Sequence, residues 1–472
     1  MATVITNTDI GSNLFIGFNK INAREQVRGI NYRIVYANNT PENNAIEFYN
    51  AYQFAKIQNP NSKPKSDTNR FVLFLAPGVY SFNLGFPTNI DLDTPFVDIV
   101  SLSGEADVVI ISQVGTVPIT ISTSDIRLRG INLINQAIHI NSTYGNNYFE
   151  NIIGGDYNFS HPNNGGDIAG NFKNCVGGSY SFADANNGQI TFQSTFENCT
   201  ALEYSFGYTL LESNLKNCTA SFSSFGLNTI ESCTLTDCTS NSGDCFGTNT
   251  IIKSSTLNNC SAGSYSFGRT NGTSNIINST LINCTALEGS FSNYIENSTF
   301  LNCKAGNNSF GKTSDISKIS EIYTTTFTDC KAGDYSFGVL NSSEVTFTNC
   351  VAEIESFGAD IANGIYKNCT AGINSFGAGT QGWSDLIAGG QFYNCVADEG
   401  SFGTAYANGI YYYCVCNGNG GWAGRAQSGM GGYAFGCKGL NSGIVGEAIY
   451  CADWRTPSNP INANLGSTTN NI

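Results

Sequence analysis

Apolar residues along this chain come in short alternating bursts, broken every few positions by Gly, Asn, Ser or Pro. Residues 71–82, FVLFLAPGVYSF, read as a buried strand, a Pro-Gly turn and a second strand. The stretches 96–104, 108–112, 116–122, 126–135 and 137–141 continue as short strands between turns. A 3.6-residue period shows in residues 44–58, where Phe48, Tyr49, Tyr52 and Ala55 share a helical face and Phe54 and Ile57 lie off it. Because the open end of a stack of strands exposes apolar core, this segment reads as a capping helix.

A repeat sets the architecture. Cys175, Cys199, Cys218, Cys238, Cys260, Cys284, Cys303, Cys330, Cys350, Cys369, Cys395 and Cys414 follow one another at intervals of 19 to 27 residues. Around the first eleven recurs much the same phrase: an aromatic or Leu three residues before the Cys, Asn or Asp just before it, a small residue two after it, then Ser-Phe-Gly, as in FENCTALEYSFG (196–207) and FLNCKAGNNSFG (300–311). A fixed half and a half of variable length is the mark of stacked coils with loops on one side. The apolar residue at −3 and the Cys are an odd number apart, so a flat strand cannot point both inward. The chain therefore bends at the Asn, which tolerates left-handed backbone. Inward positions are then −5, −3, the Cys, the small residue at +2 and the Phe, with Gly turning the chain away. Three short strands per coil of about 20 residues make an all-β fold, a single-stranded parallel β-helix whose rungs stand about 4.8 Å apart. The leucine-rich framework is absent.

On this reading the repeat cysteines are a structural ladder of small, buried side chains beside ladders of Asn and Phe. Their even spacing is unlike the clustered pairs of a zinc site, so neither a metal nor a cofactor is expected. Cys233, Cys245, Cys416, Cys437 and Cys451 fall outside that register, and their disulfide status is open. The Asn-Cys-Thr and Asn-Cys-Ser triplets match glycosylation acceptors only because Asn marks the bend.

Composition agrees: of 472 residues 52 are Gly and about 60 Asn, 12% are charged, and 41% are hydrophobic, enough for a core. The net charge of −14 repels nucleic acid and anionic membranes. Residues 1–30 lack a basic segment followed by an apolar one, and no run of 18 apolar residues occurs, so neither a secretory leader nor membrane insertion is expected. Four regions follow: an N-terminal attachment segment with the capping helix (1–60), first coils without the Cys repeat (61–165), the regular Cys/Phe coils (166–414), and a Gly-rich cap with a polar tail (415–472).

The order of a helix, a strand with PGVY, then VDIVSLSG and a run of coils resembles the start of pectate-lyase-like right-handed β-helices, a fold common in tail spikes and fibres of tailed bacteriophages. The repeated Cys coils look like those of phage and viral fibre-type proteins. The resemblance, over about 70–450, implies a right-handed coil, a homotrimer, docking to other virion proteins through the N-terminal region, and a virion location. β-Helices host lyases, hydrolases, adhesins and inert stalks alike, so fold alone does not give function.

Chemistry is sparse. His139 and His161 are the only histidines; His139 alternates with Ile138 and Ile140 and is expected on the surface. No Arg-x-Pro-x-x-Arg segment of the pectate-lyase kind is present, and the acidic pairs Asp398 with Glu399 and Glu353 with Glu355 read as solvated loop acids. Longer gaps between Phe and the next Cys place loops near 183–191, 268–276, 311–322 and 378–390. The last carries Trp383 and Asp385, which could stack on a sugar and hydrogen-bond its hydroxyls, or pack against a neighbouring subunit. Tyr411, Tyr412 and Tyr413 include at least one outward aromatic, and Trp422 lies in the Gly-rich end. The leading expectation is a non-enzymatic virion protein, a β-helical fibre, spike or capsid decoration that binds a host-surface polysaccharide or receptor. Its alternatives are a polysaccharide depolymerase (glycoside hydrolase or polysaccharide lyase) and a cellular surface adhesin.

Overall fold

A computed structural model describes residues 31–82, 87–112, 117–134, 138–140, 145–159, 168–246, 251–268, 274–311, 321–338, 340–341, 344–357, 361–376, 389–402, 409–417, 433–440, 447–449 and 452–453. Their strands are short and pair parallel, turn upon turn, with almost no helix: the fold is a parallel β-solenoid. Two compact units share the chain, residues 1–184 with 192–202, and residues 185–191 with 203–472.

In the first unit three parallel ladders form the three sides of a coil. Tyr32–Val35, Phe71–Leu75, Val97–Ser101 and Arg127–Leu133 follow one another in one; Gly78–Phe82 and Val108–Ser112 pair in a second; Ile90–Leu92, Ile119–Ile121 and Ile138–Ile140 make the third. The segment read as helical from its period forms α1, Pro41–Ile57. Thr40 caps it by accepting from the Asn43 amide, Pro41 supplies its fixed φ at the first turn, and Lys56 sits in the last turn, where the dipole favours a cation. Phe48, Ala51, Tyr52 and Ala55 are buried, and Phe48 meets Tyr80 and Phe82 edge-on at 6.2 and 6.3 Å. Tyr49 is only half-buried, while Ile57 is exposed. Tyr52 and Lys56 both reach Asp93, at 3.1 and 2.6 Å, and tie the helix to the turn after Ile90–Leu92. No helix among the described residues is long and apolar enough to cross a membrane.

The second unit repeats one coil. Thr209–Leu211, Thr229–Glu231, Ile251–Lys253, Asn275–Ile277 and Tyr294–Glu296 pair in register on one side. The next side runs through Asn214–Lys216, Thr234–Thr236, Thr256–Asn258, Thr280–Ile282, Thr299–Leu301, Thr326–Thr328, Thr346–Thr348, Ile365–Lys367, Gln391–Tyr393 and Ile410–Tyr412. The third side is reduced to two-residue strands, such as Thr219–Ala220 with Thr239–Ser240, and single bridges, such as Thr285 to Lys304 and Lys304 to Lys331.

The corners are residues at positive φ. Asn259, Asn283, Asn302 and Asn349, each just before a Cys, take φ of 51 to 54°, and their side-chain amides link across turns, as from Asn302 Nδ2 to Asn283 Oδ1 at 2.9 Å. A second corner, which the sequence reading missed, lies six residues before the Cys (Ser254, Asn278, Asn297, Thr324). The third differs from expectation as well. The Phe itself has φ of 53 to 62° at Phe267, Phe291, Phe310, Phe337 and Phe357, and the residue two before it is also left-handed (Tyr265, Asn308, Tyr335, Glu355), so the turn begins before the Gly position and the Ser between the two points inward. Left-handed Phe is costly, and packing holds it there. Phe267, Phe291, Phe310, Phe337, Phe357, Phe376 and Phe402 stack at centroid separations of 4.5 to 5.0 Å, edge-on to a second stack of Phe300, Phe327, Phe347, Tyr366, Phe392 and Tyr411.

The inward serines explain how the corners stay satisfied. A chain that turns leaves amides off the ladder, and a buried unpaired amide is costly. Each inward Ser accepts the amide of its counterpart one turn back: Ser266 N to Ser290 Oγ, Ser290 N to Ser309 Oγ, Ser309 N to Ser336 Oγ and Ser336 N to Ser356 Oγ, at 3.2 to 3.3 Å. A second Ser column at position −5 does the same through Ser255, Ser279 and Ser298.

Candidate functional site

The twelve repeat cysteines are all buried thiols outside any disulfide, as are Cys233, Cys245, Cys416 and Cys437; Cys451 lies outside the described residues. The off-register four have structural places. Cys233 stands in the −5 Ser column, where its Sγ accepts the Ser213 amide at 3.4 Å, and Cys245 in the other Ser column, its amide bonded to Ser266 Oγ. Cys416 pairs with the inward Ala397, and Cys437 bonds the Tyr411 carbonyl as Cys395 bonds that of Tyr366. Burial pushes the Cys233 thiol up to about 11 and raises Cys238, Cys245 and Cys369 too. These thiols are packing groups, not nucleophiles. Among the described residues, no three His, Cys, Asp or Glu side chains gather as metal ligands.

Two expected surface groups are buried. His139 alternates with its Ile neighbours but is 8% exposed, and Glu355, read as a solvated acid, is 6% exposed at a corner with φ 49°. Stretch 183–191 is not a free loop: Asp184, Gln189 and Thr191 are buried and 186–188 alone are exposed. His161, Trp383, Asp385 and Trp422 lie outside the described residues.

Charge gathers in the first unit at Arg70, whose Nε and Nη2 grip Asp98, whose Nη1 reaches Asp67 at 3.3 Å, and which donates to the Asp125 carbonyl. Arg127 also meets Asp67, at 2.9 Å. Burial holds the Asp98 carboxyl above its ordinary range against the pull of Arg70. With its oxygens engaged by one guanidinium, Asp98 braces coil corners and leaves little for a substrate.

The outer face offers a different surface in the second unit. From Thr256 to Thr348 the outward positions of the main ladder are mostly Thr, Asn and aliphatic residues. In the following coils they become Ile365 and Lys367, Gln391 and Tyr393, Ile410 and Tyr412, in register. Lys367, Tyr393 and Tyr412 thus form one outward column, with the rings of Tyr393 and Tyr412 stacked at 5.2 Å and 8°. A shallow groove of about 420 Å³ lies here, lined by Ile365, Lys367, Asn368, Gln391, Tyr393 and Asn394. Tyr393 Oη donates to Gln391 Oε1 at 3.0 Å, which fixes the ring.

The same groove is where the amide column ends. Asn368 Nδ2 donates to Asn349 Oδ1 at 3.0 Å and Asn394 Nδ2 to Asn368 Oδ1 at 3.2 Å. The next corner is Tyr413, φ 52°, rather than Asn, so Asn394 Oδ1 has no donor among the described residues. Lys367 has no carboxylate within ion-pair distance among them either. Rigid backbone, a ring face, an open acceptor and an unpaired cation make a surface able to hold a hydroxylated ligand. The sequence carries a signal for it, since Gln391-Phe-Tyr393 and Ile410-Tyr-Tyr412 break the habit of earlier coils of opening this strand with Thr, whereas the expected Trp383 lies eight residues upstream of Gln391. Of the three tyrosines, Tyr411 is inward, Tyr412 half-buried and Tyr413 57% exposed.

No family model and no curated protein matches the sequence. Among solved structures the chain is similar to ORF18 of Geobacillus virus E2, at 10% identity and a TM-score of 0.16, over 91% of this chain and 63% of that one. The chain therefore spans less than two thirds of that protein.

Proposed function

We propose that this protein is a virion structural component, a β-solenoid fibre, spike or capsid decoration of a tailed phage, and that its outer face binds a host-surface glycan. In this reading it is a homotrimer, its N-terminal region docks to other virion proteins, and the groove at Tyr393 is presented at the particle surface. The observation that carries the glycan part is the groove itself: Tyr393 stacked on Tyr412 and Gln391 beside it, all on strands, with Asn394 at the corner that follows. Coils whose corners are stitched by Ser, Asn and Phe columns suit an exposed rigid shaft, since each turn buries its apolar face on the next. Trp383 and Asp385 are proposed glycan-binding residues as well, on their chemistry alone.

The test incubates the purified native oligomer with a panel of bacterial cells and their extracted surface polysaccharides, reading binding and released reducing ends together. Binding without cleavage, lost in Tyr393→Ala, is the expected result. Cleavage would replace the reading with the depolymerase alternative, and absence of binding to every cell and polysaccharide would overturn the glycan part.

A further inference from the structure

The chemistry of the groove says more than that a sugar binds. Its six lining residues include one charged group, Lys367, and no carboxylate. Lys367 is exposed, pairs with no acid among the described residues, and sits one rung from Tyr393 in the same outward column. Parallel rungs stand about 4.8 Å apart, so an ammonium on a four-carbon stem reaches the edge of a ring lying on Tyr393. Some exposed cations are matched, Lys173 with Glu197, Lys253 with Glu231, Arg127 with Asp67 and Arg129 with Glu150, while Lys216, Lys304 and Lys331 share the unpaired state of Lys367 among the described residues but do not line this groove with its aromatic face. Lys367 is left unmatched at the place where the aromatic face and the open amide oxygen converge.

Those three groups set the ligand's requirements. Tyr393 offers a flat apolar face of about one pyranose ring. Asn394 Oδ1, the free end of the amide column, accepts from a hydroxyl and repels a carboxylate, which places an anion away from it. Lys367, on the other side of Tyr393 from Tyr412, supplies the positive charge. A neutral sugar would satisfy the ring and the acceptor and leave the lysine with water only.

We propose that the groove selects carboxylated saccharides: a uronic or nonulosonic acid ring lies on Tyr393, gives a hydroxyl proton to Asn394 Oδ1, and sets its carboxylate against Lys367 Nζ. This rests on the glycan-binding reading and adds the charge class of the ligand.

The experiment measures binding of the native protein to oligogalacturonate, hyaluronan and oligosialic acid, each beside its carboxyl-reduced neutral twin. At least one acidic member binds, and its reduced twin binds about tenfold or more weakly. Lys367→Gln removes that difference by weakening the acidic form alone, Lys367→Arg restores it, and Tyr393→Ala weakens both forms. Equal binding of acidic and reduced forms, or Lys367→Gln without effect on their ratio, overturns the carboxylate proposal and leaves glycan binding standing. Binding of no saccharide, acidic or neutral, removes both.

Discussion

At the scale of single residues, the fold is specified by columns, and each column answers a different physical demand. Cys fills a buried corner position, and its S–H donates to the carbonyl two residues back, as from Cys350 to Thr348 at 3.4 Å. Because the described thiols are all buried, native protein at pH 8 should be nearly inert to a thiol reagent. At most one thiol per chain reacts before unfolding, with Cys451 the open position, and all 17 react in guanidinium. Labelling counted by intact mass checks this; several native labels, or disulfides among the repeat cysteines, would contradict a buried reduced column. Ser is the more exacting residue. Ser309 Oγ accepts the buried Ser290 amide and donates to the Asn307 carbonyl, so Ser309→Ala orphans an amide and should cost about 1–3 kcal/mol, seen as a lower denaturant midpoint. Ser309→Cys, the residue that stands in this column at Cys245, should cost less. Equal losses for the two variants would mean that volume rather than the hydrogen bond matters there.

At the scale of elements, what could be read in advance was whatever repeats at a fixed offset or alternates. The strands between 71 and 140, α1, the Asn or Asp corner before the first eleven repeat cysteines and the inward Phe all follow from period and parity. The missing corners did not, because Ser254, Asn278 and Thr324 at position −6 share no residue type, and only the backbone shows that each takes positive φ. Ser was equally opaque: its polarity suggests a turn, whereas here it is buried to serve the amide of the preceding turn. His139 shows the limit of alternation, which assigns it correctly to the face opposite Ile138 and Ile140 but cannot say that this face is covered. The groove was half legible. Outward tyrosines could be counted, yet the meeting of Lys367, Tyr393 and Asn394 needs the register of coils 26 residues apart.

At the scale of the whole molecule, a solenoid built from equivalent coils should tolerate loss of one. Thr280 pairs with Thr299 and Ser279 occupies the place of Ser298 one turn earlier, so removing residues 280–298 joins Ser279 to Thr299 and recreates the Ser-Thr junction that the next coil already has. Leu257 would then face Phe300 where it now faces Leu281, and the Phe column would pass from Phe267 to Phe310 with one ring fewer. Stability in such arrays is close to a sum over coils and neighbour interfaces, so the shortened protein should remain folded, with an unchanged far-ultraviolet spectrum per residue and a Tm lowered by a few degrees. Removing 280–288, about half a coil, is the control: a half-coil puts inward residues on the outer face and orphans the corner amides, so that variant should aggregate or unfold. If both deletions fail alike, the coils are not interchangeable and the columns are consequences of one globally fixed structure. If the whole-coil deletion folds and keeps saccharide binding at the groove, the array is a modular shaft and the groove a local feature of the coils at Lys367 to Tyr412.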